Sequence, residues 1–444
     1  MPSPSRPSDL LLPEYEDDSG SPLPLYSQTL GSSECLVQTE VPRRTNCAAC
    51  EWIFPTKRAR INLGRRTWKI SGPAYGLNAN IDGHVQWADK KHPLESVTAT
   101  LEGRLKTSFP ERIPSSDDSS SPFLSLTVPI YKADQDSSVD TSEIPFSIPF
   151  PSYLRYKGEE TLCPPSFYHS DLHFLCEITY SIRFDISWRK KPRWKKTESR
   201  NIPIYYLPKT NPIVPPICVL PPASRHLENP PLFLQGPERM ESFPIAPSFR
   251  SKSNPGYKPT RQQRLKLESY PDSVYLSLPV PASFTSGQDI PFMLSVSFRS
   301  EPYLAELLCK SPEVQLFKKV GFFRKPSPGE VGPAIERAAL VSSATIRKTS
   351  GWAEGMIVLK GEIQAGDAGS EQSWVLRDSA YVQYVLRVTL RPPTSLSTHI
   401  PTFVHEAPIE ICTSSWGSLD REMASSGGMT TPAVSLASSL RRLY

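Results

Sequence analysis

One stretch limits what this chain can fold into. From residue 172 to residue 188 almost every second side chain is apolar: Leu172, Phe174, Cys176, Ile178, Tyr180, Ile182, Phe184, Ile186 and Trp188. Between them stand His173, Glu177, Thr179, Ser181, Arg183, Asp185 and Ser187, with Leu175 the exception. A period of two is the strand period, because successive side chains of a strand leave on opposite faces. The run predicts one long strand with a dry face and a wet face. A basic turn follows, Arg189-Lys190-Lys191-Pro192-Arg193-Trp194-Lys195-Lys196, and the chain returns through Ile202, Ile204 and Tyr206. A lone hairpin cannot bury its own apolar face. Something must cover the even-numbered residues, and that implies a two-layer β-structure.

Proline points the same way. The chain has 48 prolines in 444 residues, about twice the ordinary ~5%. Proline donates no ladder hydrogen bond and breaks helix interiors, which favours short strands and long loops. The length corresponds to ~3 domain-sized units. Other alternating runs fit this pattern: Tyr75–Trp87, Val97–Leu105 and Leu124–Ile130, then Val274–Val280, Ile290–Phe298, Met356–Ile363 and Val382–Leu390, with Ile409 and Ile411 closing the series. Ile144–Pro151 is apolar but punctuated by proline and reads as an edge strand. Leu304–Val320 mixes helical and strand-like spacing and stays undecided.

The expected fold is therefore all-β, with two tandem immunoglobulin-like antiparallel sandwiches over residues 74–214 and 270–412. Residues 1–73 and 413–444 read as disordered tails. Residues 215–269, rich in proline, serine and arginine, read as a linker or insert with room for one strand of the next unit.

The chain lacks a basic start followed by an apolar run, and no stretch reaches the ~20 apolar residues of a membrane span. A cytoplasmic protein with free thiols is expected from its eight scattered cysteines. Cys47-Ala48-Ala49-Cys50 is a close pair without a matching second pair, so no metal or other cofactor is expected. The seven histidines are dispersed, with His169 and His173 expected on the surface. No phosphate-binding glycine loop, serine elbow or zinc-protease motif is present.

Two stretches carry candidate interactions. In the N-terminal tail, Leu12-Pro13-Glu14-Tyr15 and Leu23-Pro24-Leu25-Tyr26 each read Leu-Pro-x-Tyr. Such segments lean towards polyproline II, which WW domains bind by stacking on proline and hydrogen-bonding tyrosine. At the hairpin turn, Arg189, Lys190, Lys191, Arg193, Lys195 and Lys196 surround Trp194. That composition suits an anionic membrane surface or an acidic partner, and equally a solvated turn. A second basic run, Lys57–Arg66, belongs to no folded nucleic-acid module, and a net charge of +5 is mild; no nucleic-acid partner is expected.

The order of local motifs resembles the arrestin family. Ile144-Pro145-Phe146-Ser147-Ile148-Pro149 followed by Leu162-Cys163-Pro164-Pro165-Ser166-Phe167 is similar to the arrestin N-domain strand and its Leu-Pro-Pro-Ser-Phe element. Ile178-Thr179-Tyr180-Ser181-Ile182-Arg183-Phe184 resembles the long strand that follows. Phe284–Phe292 resembles the entry to a C-domain strand, and Tyr384–Val388 with Pro408–Ile411 also fit. The resemblance covers residues 74–214 and 270–412. It implies a non-enzymatic, fungal-type α-arrestin-like adaptor that links membrane-protein cargo to a WW-domain ubiquitin ligase or the endocytic machinery, peripheral at plasma membrane or endosomes. Here the ligase motifs carry Leu in place of the first proline and precede the fold. A retromer-subunit-like sorting scaffold, using the same fold without a ligase, is the alternative. A carbohydrate-active or other β-sandwich enzyme ranks lower, because Asp82, Glu102 and Glu177 fall on the wet faces of their strands.

Overall fold

The apolar alternation resolves into strands wherever it is long. The computed structural model describes residues 51–89, 92–108, 119–133, 142–156, 159–172, 174–191, 194–217, 220, 240–249, 260–270, 273–323, 335–349, 355–376 and 379–440. In the first half these form β1 (Glu51–Pro55), β2 (Ala59–Arg65), β3 (Ala74–Tyr75), β4 (Asn80–Trp87), β5 (Leu94–Ser108), β6 (Ser119–Lys132), β7 (Ile144–Pro149), β8 (Tyr153–Tyr156), β9 (Glu159–Leu162), β10 (Phe167–Ser170), β11 (Leu175–Lys191) and β12 (Trp194–Tyr206). One sheet has the order β1-β2-β4-β7 and the other β3-β12-β11-β5-β6, with β10 extending the edge of β11. The predicted hairpin is β11–β12, in register from Tyr180↔Ile204 to Arg189↔Lys195, with a shift before Lys191↔Trp194.

The dry face of β11 is Phe174, Cys176, Ile178, Tyr180, Ile182, Phe184, Ile186 and Trp188, all buried. The opposite sheet covers it: Phe146 of β7 lies 5.3 Å from Phe184, and Trp87 of β4 lies 5.9 Å from Trp188. Leu172 departs from the expected pattern. It is 83% exposed, because it precedes the strand in the turn where Asp171 Oδ1 accepts the Phe174 N–H. The expected single run from Tyr75 to Trp87 is likewise broken, at Asn78, whose φ of 56° turns the chain between β3 and β4. As expected for an edge, β7 pairs only with β4 in its sheet, and its prolines Pro145 and Pro149 stay exposed. Gly103 marks a bulge in β5; a Cβ there would sit 2.8 Å from the Phe123 ring.

The second half forms β13 (Met240–Pro244), β14 (Pro247–Ser248), α1 (Arg261–Ser269), β15 (Val274–Pro279), β16 (Ser283–Thr285), β17 (Asp289–Ser297), α2 (Pro302–Leu308), β18 (Glu313–Phe322), β19 (Ile335–Ser343), β20 (Thr345–Thr349), β21 (Met356–Gln364), β22 (Trp374–Leu376), β23 (Ala380–Leu390) and β24 (Thr402–Cys412). The sheets run β13-β15-β17-β21-β20 and β14-β24-β23-β18-β19, with β16 on β24 and β22 on β23. Phe298 against Phe403 at 5.9 Å and Phe243 against His405 at 5.7 Å join the two layers. The undecided stretch Leu304–Val320 is thus both: α2 buries Leu304, Ala305 and Leu308, and β18 follows. Nearly all the buried apolar side chains form one cluster that continues from the first pair of sheets into the second.

Three expected boundaries are corrected. The fold begins at β1, so residues 51–73 are not a disordered tail. In β2, Ala59, Ile61 and Leu63 are buried and alternate with Arg60, Asn62 and Gly64; the surrounding basic residues hid a strand. The insert 215–269 contains β13, β14 and α1, two strands instead of one. The end of the chain also departs from a disordered tail, because α3 (Ser418–Ser425) follows β24 and the segment returns to the first sandwich. There Ala433 N–H donates to Leu207 O at 2.9 Å and Thr430 N–H to Leu77 O at 3.1 Å. Ala433 and Leu436 pack with Tyr205 and Leu207 in a second, smaller cluster.

Candidate functional site

Both Leu-Pro-x-Tyr motifs, with Leu12, Pro13, Tyr15, Leu23, Pro24 and Tyr26, lie outside the described residues, as do Arg193 and Cys47 with Cys50. The basic turn is placed. Lys190 and Lys191 end β11, and Trp194, Lys195 and Lys196 begin β12. Arg189 is exposed, its backbone N–H donating to Pro93 O at 3.1 Å and its guanidinium 3.6 Å from Glu95.

The register explains what else reaches this end of the sandwich. Ser187 of β11 opposes Ser96 of β5, which opposes Lys132 of β6. Lys132 is exposed in that same row. On the other sheet, the turn between β1 and β2 carries Lys57 and Arg58. Lys57 N–H donates to Glu198 Oε1 at 2.9 Å, and Glu198 stands two residues beyond Lys196. Three separate segments, the β11–β12 hairpin, the end of β6 and the β1–β2 turn, therefore deliver cations to one end. Lys57 and Lys132 are contributors that the sequence reading missed. The signal for Lys57 was the Ala59-Ile61-Leu63 alternation, which places the preceding turn beside the hairpin.

A packed base holds this end in shape. Trp87 and Trp188 stack at 43° across the two sheets. The Arg58 guanidinium lies 4.9 Å above the Trp188 ring, a cation–π contact. Arg58 also pairs with Asp89, and its Nη1 donates to His92 Nδ1 at 2.8 Å, while Trp87 Nε1–H donates to His92 O at 3.2 Å. Arg58 is thereby neutralised, and Arg189 partly so. Among the fully placed side chains here are the cations Lys57, Arg58, Lys132, Arg189 and Lys196 and the carboxylates Asp89, Glu95, Glu143 and Glu198. Lys190, Lys191 and Lys195 add to the excess by position.

A second feature lies where the two sandwiches meet. A cleft of about 1090 Å³ is lined by Tyr153, Leu162, Phe323, Trp374, Tyr381 and Ile409 among others. The seam continues through the lining residue Trp374: Phe167 packs edge-on to it at 5.1 Å, and Phe174 lies 5.5 Å from Phe322. Beside them Lys318 Nζ pairs with Glu371 at 2.7 Å, and Tyr384 OH donates to the same carboxylate. Burial and the Glu371 charge push the Tyr384 hydroxyl pKa well up. His169, expected on the surface, belongs to this seam. Its ring lies 5.2 Å from Phe174, its Nε2 is buried 3.9 Å from Asp171, and burial holds its pKa below the ordinary value.

Two of the carboxylates weighed for catalysis are paired or exposed. Glu102 pairs with Arg104 at 2.9 Å and with Arg183 at 3.5 Å, and Asp82 is exposed. Among the described residues, no group of three or more His, Cys, Asp or Glu side chains is placed to hold a metal ion, and no helix is long and apolar enough to cross a membrane. No protein-family model matches this chain, and no curated protein matches it.

Proposed function

We propose that the chain is a non-enzymatic adaptor of arrestin type, which brings membrane-protein cargo to a WW-domain ubiquitin ligase or to the endocytic machinery. One observation carries the reading. The segments that resemble arrestins fall on strands or their entries: Ile144–Pro149 is β7, Cys163–Phe167 leads into β10, Ile178–Phe184 is the middle of β11, Phe284–Phe292 spans β16 and the start of β17, and Tyr384–Val388 and Pro408–Ile411 lie in β23 and β24. Two sandwiches locked along an apolar seam make a rigid body with broad surfaces, which suits binding more than chemistry. The cleft at the seam is of a size and apolarity to take a peptide segment of cargo. The ligase is assigned to the Leu-Pro-x-Tyr motifs of the N-terminal segment, where WW recognition needs only proline and tyrosine in extended chain.

The test is a pull-down of the full chain with a panel of ligase WW domains. Capture that is lost in the double variant Tyr15→Ala, Tyr26→Ala supports the ligase half. Capture unchanged by that variant, or no capture, removes it.

A further inference from the structure

We infer that the basic end of the first sandwich is a docking face for an anionic lipid surface. This deepens the adaptor reading, since an adaptor for membrane cargo works at a bilayer, and it rests on that reading for its setting alone. The argument starts from convergence. Lys57 lies in the β1–β2 turn, Lys132 ends the edge strand β6, and Arg189 and Lys196 stand on the two strands of the β11–β12 hairpin, yet the register and the Lys57–Glu198 hydrogen bond bring these parts of two different sheets to one end. All four are exposed. Solubility requires charge on a turn, but it does not require that unrelated turns place the same sign together.

The shape selects the partner. The cations sit on a turn and on strand ends at one end of the sandwich, a projecting end and not a groove. Phosphate backbones of nucleic acids are followed by grooves lined with stacking aromatics. At this end the aromatics Trp87 and Trp188 are turned inwards as the base of the sandwich. A projecting end with spread cations meets a flat array of headgroups, where each Lys or Arg near the surface adds a similar increment of attraction. The Arg58–Asp89–His92 cluster and the tryptophan pair make the end rigid, so little ordering is needed on contact.

The test is co-sedimentation of the full chain with vesicles of phosphatidylcholine alone, or with about a fifth phosphatidylserine, at physiological and at several-fold higher salt. Binding is expected only to the anionic vesicles and is expected to weaken with salt. The double reversal Lys57→Glu, Lys196→Glu should lower it about 100-fold or more. The control reversal Lys106→Glu, Arg347→Glu changes as much charge on exposed strands elsewhere and should leave binding within about two-fold of the unsubstituted protein. Equal loss in both variants, or no binding to anionic vesicles, overturns the proposal. So does binding to duplex DNA or an acidic peptide without binding to vesicles. Thermal melts of both variants confirm that the fold is kept. A failed vesicle assay beside successful WW capture would remove this inference and leave the adaptor reading standing.

Discussion

Lys209 and Glu422 lie 213 positions apart and are joined by an ion pair of 2.7 Å. Lys209 leaves the first sandwich just after β12; Glu422 lies in α3, beyond the last strand of the second. Glu422 also accepts the Thr431 N–H at 2.7 Å and the Thr431 hydroxyl. One carboxylate thus fastens the end of the chain back onto its first half. Burial alone would push this carboxyl up, but the Lys209 ammonium and the two Thr431 donors hold it below the usual range.

Removing that anchor should loosen the C-terminal segment without unfolding the sandwiches. Glu422→Gln is expected to cost about 1–2 kcal/mol, as for a hydrogen bond to a charged group that is partly screened. Its effect has a sign with pH. A carboxyl held below its unfolded value of 4.5 contributes stability above that pH, and loses it as pH falls through the folded value. The wild type and Glu422→Gln should therefore converge in acid. Gly76→Ala should act on the same contact, because a Cβ there would stand 2.4 Å from Thr430 O. Hydrogen exchange over residues 418–440 reads both; protection unchanged in both variants would refute the anchoring role.

His169 and His405 predict the behaviour between neutral and mildly acid pH. Burial lowers both pKa values; for His169 the nearby Asp171 opposes this and Lys318 adds to it, and for His405 Glu406 opposes it. Below the unfolded value of 6.5 the unfolded chain takes up protons that the folded protein resists. Stability should fall as pH drops from 7 and level off once the folded groups titrate. In His169→Gln the fall should be shallower. Melting temperatures from pH 7 to 5 decide it, and an identical slope in the variant would contradict the assignment.

The buried thiols should be inert. Cys163 and Cys176 are pushed up to about 12 and Cys412 to about 11, chiefly by burial. The thiolate is the nucleophile, so alkylation of the folded protein should be slow at these three and fast only after denaturation. Cys309, half-buried at the end of α2, should react ahead of them. Mass spectrometry after a short iodoacetamide pulse gives the order; prompt labelling of Cys176 would show that the β11 core is open.

Trp188 should be the costliest single truncation at the basic end. It is buried against Trp87 and under Arg58. Trp188→Ala is expected to destabilise by about 3–5 kcal/mol and to release Arg58 from its ring. A urea titration measures the cost, and a loss below about 1 kcal/mol would mean that the end is not packed as described.

Where one side-chain period ran long enough, the sequence was sufficient. Phe174 through Trp188 named the dry face of β11 because the pleat has one period and one strand filled it. The same rule failed for short or masked alternation. In β2 the three apolar positions sat in a run rich in basic residues, and Arg60 and Arg65 are simply exposed. Leu172 carried the right spacing but sat beyond a turn set by Asp171. The return of Thr430, Ala433 and Leu436 to the first sandwich depends on partners more than 200 positions away, Leu77, Leu207 and Tyr205, so no local pattern marks it. The basic end was half legible: the hairpin turn is contiguous, whereas Lys132 joins it through sheet register and Lys57 through a hydrogen bond between the two sheets.

The central claim is that this chain brings membrane cargo to a ligase and transforms nothing itself. Proximity labelling in the native cell, with the full chain fused to a labelling enzyme, tests it most directly. The account predicts that membrane proteins and a WW-domain ligase are labelled together, and that Tyr15→Ala with Tyr26→Ala loses the ligase while keeping the membrane proteins. Labelling that contains neither, or a ligase signal untouched by the two substitutions, would contradict it.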